Sequence, residues 1–283
     1  MNGFGFTLRR ARALLATAAI AMSLAMFGSA GATAAVAPAA GHTSVKPKPT
    51  VVLVHGGFAD ATISWTGVTD RLQKRGYPVI APANPLRSLP TDSAYIARVL
   101  SSINGPIILV GHSYGGAVIT NAAAGNPNVK ALVYIAAFVP DTGETLGELI
   151  DTYPGSEIQA ALNPIPYPNP DGTTGTDLYL QADKLRQVFA ADLPTSTTRI
   201  MAATQRPFSA ACFTDRTQAA AWHTIPSWGL IATQDKAIPP ALQRYEYQRA
   251  GSRTVKVAAS HVAMISHPDV VTDLVMSAAN TTS

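Results

Sequence analysis

A continuous apolar run, Ile107-Ile108-Leu109-Val110, stops at Gly111-His112-Ser113-Tyr114-Gly115-Gly116 and gives way to a small, apolar stretch over 117–124. Apolar residues without alternation suit a strand buried on both faces of a parallel sheet. Small residues after a glycine pair suit a helix packed tightly against it. The chain must therefore turn sharply from strand to helix with a serine at the corner. This is the G-x-S-x-G elbow, in which strained backbone at Ser113 carries its Oγ out over the carboxyl ends of the strands. Gly111 and Gly115 let strand and helix approach without Cβ clashes. The positive end of the helix stands behind Ser113, where an anionic tetrahedral centre would form. In a chain with 21 glycines a chemically idle turn can carry the same five residues, so the partners of the serine decide between the two.

Around this corner, apolar runs alternate with helical spacing. Residues 50–54 form a β-branched strand that runs into His55-Gly56-Gly57-Phe58. Over 63–75, Trp65, Val68 and Leu72 fall on one side of a helix that ends at Gly76-Tyr77-Pro78. A short strand at 79–81 and a helix over 92–103, capped by Thr91 or Asp92, lead to the elbow. Further strands are expected at 129–137, 227–232 and 254–258. A helix opened by Pro239-Pro240 runs to about residue 250, and a closing helix spans 268 to about 277. This alternation predicts an α/β fold, a mostly parallel central sheet flanked by helices, with its active edge at the carboxyl ends of the strands. From 141 to 226 the rhythm breaks into turn-rich segments such as Pro164-Ile165-Pro166-Tyr167-Pro168. A structureless loop of that length is uncommon in a compact domain. The segment is therefore expected to be a cap, inserted between the strand ending near Ala137 and the strand starting near Ser227.

The amino terminus is different material. Arg9, Arg10 and Arg12 precede an apolar run over 13–27 and a small-residue stretch over 28–40, and no acid occurs before Asp60. This pattern predicts a signal peptide over 1–34, with cleavage as late as about residue 40, followed by a proline-containing linker over 35–49 and a catalytic-size domain over 50–283. About 15 apolar residues fall short of the roughly 20 that span a bilayer, so no stable membrane insertion is expected once the leader is removed. Adjacent Arg9-Arg10 is compatible with the twin-arginine route. The formal charge of +4 belongs largely to the leader: cutting after Ala34 leaves 18 basic against 17 acidic residues. With no basic stripe, a nucleic-acid partner is not expected. Cys212 is the single cysteine, which rules out an intramolecular disulfide or a thiolate metal cluster. A buried apolar role fits it best.

A serine hydroxyl needs an imidazole as base and a carboxylate to orient that imidazole. His261 follows the last strand and Asp235 the one before it, in the chain order this architecture uses. Asp141, after Phe138-Val139-Pro140, also follows a strand and competes as the acid. His267 at a helix start, His112 in the elbow, His55 at a strand end, His42 in the linker and His223 in the cap compete as bases. The oxyanion donors expected are the backbone N–H groups of Gly57, in the turn after the first strand, and Tyr114, after the serine. Phe58, Trp65 and Phe138 are expected to wall a fairly apolar pocket.

With His55-Gly56-Gly57, Gly111 to Gly116, Asp235-Lys236-Ala237-Ile238-Pro239-Pro240 and His261-Val262-Ala263-Met264 in view, the sequence resembles the α/β-hydrolase superfamily. It is most similar to the branch of plant methylesterases, hydroxynitrile lyases and their bacterial esterase relatives. The resemblance implies Ser113 as nucleophile, Asp235 as acid, His261 as base, the amides of Gly57 and Tyr114 as oxyanion hole, and no metal or other cofactor. Lyases of this branch carry a lysine where this chain has Val262 and a threonine where it has Gly56, which favours hydrolysis. The expectation is an exported serine hydrolase cleaving small, fairly apolar carboxylic esters or lactones. Its rivals are a cofactor-free haloperoxidase, perhydrolase or lyase on the same residues, and a binding protein that has lost the chemistry.

Overall fold

The computed structural model describes residues 47–282. The expected leader, most of the linker and His42 lie outside the described residues. In chain order, the first half comprises β1 (Thr50–Val54), α1 (Ala61–Lys74), β2 (Val79–Ile80), α2 (Leu89–Ser101), β3 (Ile107–His112), α3 (Tyr114–Ala122) and β4 (Val129–Ile135). An insertion follows, containing α4 (Leu146–Thr152), β5 (Leu162–Pro168), β6 (Thr174–Leu180), α5 (Ala182–Phe189), α6 (Thr195–Ala203), β7 (Phe208–Ser209) and α7 (Ala211–Thr214). Then come β8 (Ser227–Ala232), α8 (Pro240–Arg249), β9 (Arg253–Val257), α9 (Ala263–Ser266) and α10 (Pro268–Thr282).

The central sheet has six strands in the order β2-β1-β3-β4-β8-β9, all parallel. β3 and β8 are buried along their whole length, as their unbroken apolar sequences require. The edge strand β9 instead exposes Arg253, Thr254 and Lys256, charges and polar groups that discourage pairing with another chain. From β1 the chain goes outward to β2 and then returns to β3 on the other side. The loops after β1 and β3 therefore lie side by side at a topological switch point, where α/β sheets place their ligands.

Two boundaries differ from those expected. α2 starts at Leu89, because Ser88 supplies the cap by accepting from Thr91 N–H and Pro90 suits the first turn, where N–H groups have no acceptor within the helix. Asp92 is consequently not a cap but a buried residue of the first turn. α10 runs to Thr282, since nothing after Ser277 stops a helix. The cap is ordered: β5, β6 and β7 make a small antiparallel sheet, with helices before and after it.

Candidate active site

Ser113 sits between β3 and α3 with φ 56° and ψ −126°, a conformation that side chains other than glycine rarely adopt. Its neighbours leave it no alternative. A Cβ on Gly115 would stand 2.5 Å from the Val54 carbonyl oxygen, so α3 can press onto the end of β1 only with glycine there. The Ser113 carbonyl accepts from Gly116 N–H at 2.9 Å and Phe138 N–H at 3.3 Å, tying the elbow to the segment after β4.

His261 and Asp235 meet 26 residues apart in sequence: His261 Nδ1 lies 2.7 Å from Asp235 Oδ2, and both side chains are buried. A carboxylate can only accept, so Nδ1 carries the proton and Nε2 is left with a free lone pair. Asp235 is gripped from four directions. Its Oδ1 accepts from Ala237 N–H at 2.7 Å and Ile238 N–H at 3.0 Å, and its Oδ2 accepts from Gln243 Nε2 at 2.8 Å as well as from His261. The loop carrying the histidine is held too. Ser260 donates its N–H and its hydroxyl to Asp192 of the cap, and the Phe189 ring stands 4.8 Å from the His261 ring.

Across the site, His55 orders the loop after β1. Its Nε2 accepts from Asn84 N–H at 2.9 Å, which leaves the proton on Nδ1, and Nδ1 donates to the Gly56 carbonyl at 2.9 Å. Asn84 Nδ2 returns a bond to the His55 carbonyl. Burial holds the His55 imidazole below its ordinary pKa, in keeping with this neutral form. In a trans peptide, C=O and N–H point opposite ways, so a Gly56 carbonyl turned to the His55 ring aims the Gly57 N–H away from it. Tyr114 opens α3, and its N–H has no acceptor within the helix. Its hydroxyl is turned out of the site, donating at 2.8 Å to the buried Asp92, whose carboxyl burial pushes above the usual range.

Gly56 has no room for a side chain: a Cβ there would lie 2.6 Å from Ser113 Cβ and 2.9 Å from the His112 carbonyl oxygen. Gly56→Ala should therefore displace Ser113 and lower kcat by about 10²-fold, the usual effect of a displacement near 1 Å. Unaltered turnover by a folded variant, checked by circular dichroism, would contradict this packing argument.

Ser113, His261, Gly57 and Tyr114 line one cavity. Phe58 and Phe138 also line it, joined by Phe189, Phe208 and Phe213 from the cap and by Ile238 from the loop after Asp235. Trp65 does not. It is wholly buried in α1 and meets the edge of the His112 ring behind the elbow, because the face it shares with Val68 and Leu72 is a core face. Asp141 is likewise removed from His261: it pairs at 3.0 Å with the half-exposed His223 at the outer edge of the cap. His112 is buried in the elbow, donating from Nε2 to the His261 carbonyl at 3.0 Å, and burial holds it well below its ordinary pKa. His267 accepts from or donates to Ser266 Oγ at the start of α10. Cys212 is buried and free, and burial pushes its thiol up. Gln243, Asn84 and Asp192 were not foreseen from sequence. Each is an ordinary polar residue until the fold brings its partner to it.

The profile of the alpha/beta hydrolase family matches residues 51–274. The chain belongs to this family. Within it, the chain is 27% identical over 255 residues to an alpha/beta hydrolase of Aspergillus novofumigatus, covering 82% of this chain and 97% of the relative. It is 34% identical over 122 residues to a carbendazim hydrolyzing esterase of a Nocardioides species, covering 38% of this chain and 50% of the esterase. Among solved structures, polyneuridine aldehyde esterase superposes with a TM-score of 0.71, covering 81% of this chain and 98% of that one at 19% identity. That likeness is one of fold.

Proposed function

We propose that this alpha/beta hydrolase is an exported serine esterase that cleaves small, uncharged carboxylic esters or lactones through an acyl-enzyme. The observation that carries the reading is the convergence of Ser113, in its strained elbow, with the Asp235-bound His261 on one apolar cavity. His261 Nε2 takes the Ser113 proton as Oγ attacks the ester carbonyl. The oxyanion is met by the N–H groups of Gly57 and Tyr114, with the amino end of α3 behind them. His261 returns the proton to the departing alcohol, then takes one from water, which releases the acid and regenerates Ser113. Asp235 keeps the imidazole in its Nδ1–H form and stabilises it while charged.

The character of the substrate follows from the cavity walls. Phenylalanine rings and aliphatic side chains surround Ser113 and His261, and the Tyr114 hydroxyl is committed to Asp92. A charged acyl or alcohol group would lose its hydration there without gaining a partner. Ester-cleaving relatives of the family, such as the carbendazim hydrolyzing esterase, support hydrolysis. The arginine-led amino terminus supports export.

The test is a series of p-nitrophenyl esters of increasing acyl length, run beside covalent capture of Ser113 by a fluorophosphonate and located by peptide mass. Expected are turnover of the short, neutral esters, weaker turnover of a carboxylate-bearing analogue, and label on Ser113. An enzyme that takes no label on Ser113 and turns over no ester would sink the reading.

A further inference from the structure

We infer that Gln243, on α8, is a positioning residue for the reaction, holding Asp235 in the orientation in which its Oδ2 meets His261. The inference rests on the esterase reading above and names a residue outside the triad that the triad depends on. Gln243 is wholly buried, and its amide is used at every point. Its two Nε2 protons go to Asp235 Oδ2 and to the Ile238 carbonyl, each at 2.8 Å, and its Oε1 accepts from Ala232 N–H at 3.0 Å. The donor at Ala232 and the acceptor at Asp235 fix which end of the amide is which.

These three bonds brace one short piece of chain. Ala232 is the last residue of β8, Asp235 stands in the turn that follows, and Ile238 closes the curl whose amides grip Asp235 Oδ1. Gln243 reaches across from the next helix and ties the strand end, the carboxylate and the curl together. The amides of Ala237 and Ile238 both act on Oδ1, so the donors on Oδ2 must come from elsewhere. Two donors meet on Oδ2, one of them the histidine being positioned. The other is Gln243. A neutral amide also fits the charge, because it donates to Asp235 without neutralising it, whereas a lysine would compete with the imidazolium for the carboxylate.

The decisive variant is Gln243→Glu, which keeps the shape. Protonated, the new carboxyl can donate to Asp235 Oδ2; ionised, it sets two acceptors against each other with nothing between them. The wild type should hold its activity on the alkaline side. Q243E should add a loss there, so that its kcat/KM falls as pH rises where that of the wild type does not. Gln243→Ala should lower kcat by about 10- to 100-fold with KM within about twofold, as expected for a group displaced without loss of substrate contacts. Proton NMR of the buried His261 Nδ1–H, measured without substrate, supplies a second readout. That resonance should be present in wild type and in Ser113→Ala, and should shift in Q243E in step with its alkaline loss.

A Q243E profile that matches wild type, or a Q243A whose only change is in KM or in melting temperature, would overturn the inference. Because the imidazole resonance needs no turnover, failure of the esterase reading shows as an inactive wild type with a normal resonance. Failure of the Gln243 inference shows as a resonance that ignores the substitution.

Discussion

Replacement of Ser113 by alanine should lower kcat/KM by about 10⁵- to 10⁶-fold, and Asp235→Asn should lower it by about 10⁴-fold. The double variant should be no worse than Ser113→Ala alone. The non-additivity follows from the geometry. In the proposed reaction Asp235 acts only through His261, and His261 only by moving the Ser113 proton. Once the hydroxyl is gone, the orientation of the imidazole has nothing left to accelerate. What should survive in the two proteins lacking the hydroxyl is the contribution of the proposed oxyanion amides and of substrate binding.

The asparagine variant carries a second cost peculiar to this site. Asp235 Oδ1 faces the N–H groups of Ala237 and Ile238, and Oδ2 faces Gln243 Nε2 and His261 Nδ1. An amide placed either way round puts its NH₂ against donors. If it faces His261, the imidazole must shift its proton to Nε2, the nitrogen that has to receive from Ser113. If it faces the curl, two buried N–H groups lose their acceptor, at about 1–3 kcal/mol for an unsatisfied group. Steady-state kinetics on the best ester, with melting temperatures beside them, would check both parts. Multiplicative losses in the double variant would mean that Asp235 acts on something other than the Ser113–His261 pair.

What sequence made legible, and what it did not, divides along physical lines. The elbow, Asp235 and Gly57 lie at the ends of strands with local, largely apolar runs, and His261 follows the short alternating strand β9, so strand spacing places them on one edge of the sheet. The cap strands were not legible because β5 reads Asn163-Pro164-Ile165-Pro166-Tyr167-Pro168, a composition that signals turns. Alternate prolines can nevertheless occupy an edge strand, since residues two apart point their missing N–H the same way, here away from β6. Trp65 was placed on the right helix face, but that face serves the core and not the cavity. His55 with Asn84 and Asp192 with Ser260 are pairs separated by 29 and 68 residues. No period or motif announces a bond that depends on where two loops end up.

The largest stability effect expected outside the site concerns Glu246. It is buried on α8, with Oε1 accepting from Val139 N–H at 2.8 Å and Oε2 without a partner among the described residues. Burial pushes its carboxyl up to about 8, against the pull of the Val139 amide and the Arg249 guanidinium, with Glu144 adding to the rise. Between pH 4.5 and about 8 the folded chain therefore keeps a proton that the unfolded chain has released. Its contribution is whole below that window and is lost through it as pH rises, by about 1.4 kcal/mol per unit and a few kcal/mol in all. Glu246→Gln retains an acceptor for Val139 N–H and has no proton to lose. It should match wild type within about 1 kcal/mol near pH 4.5 and exceed it by on the order of 3 kcal/mol above pH 8. Urea unfolding of the two proteins at several pH values isolates this group, because the other titrating carboxylates cancel in the difference; parallel curves would refute the assignment.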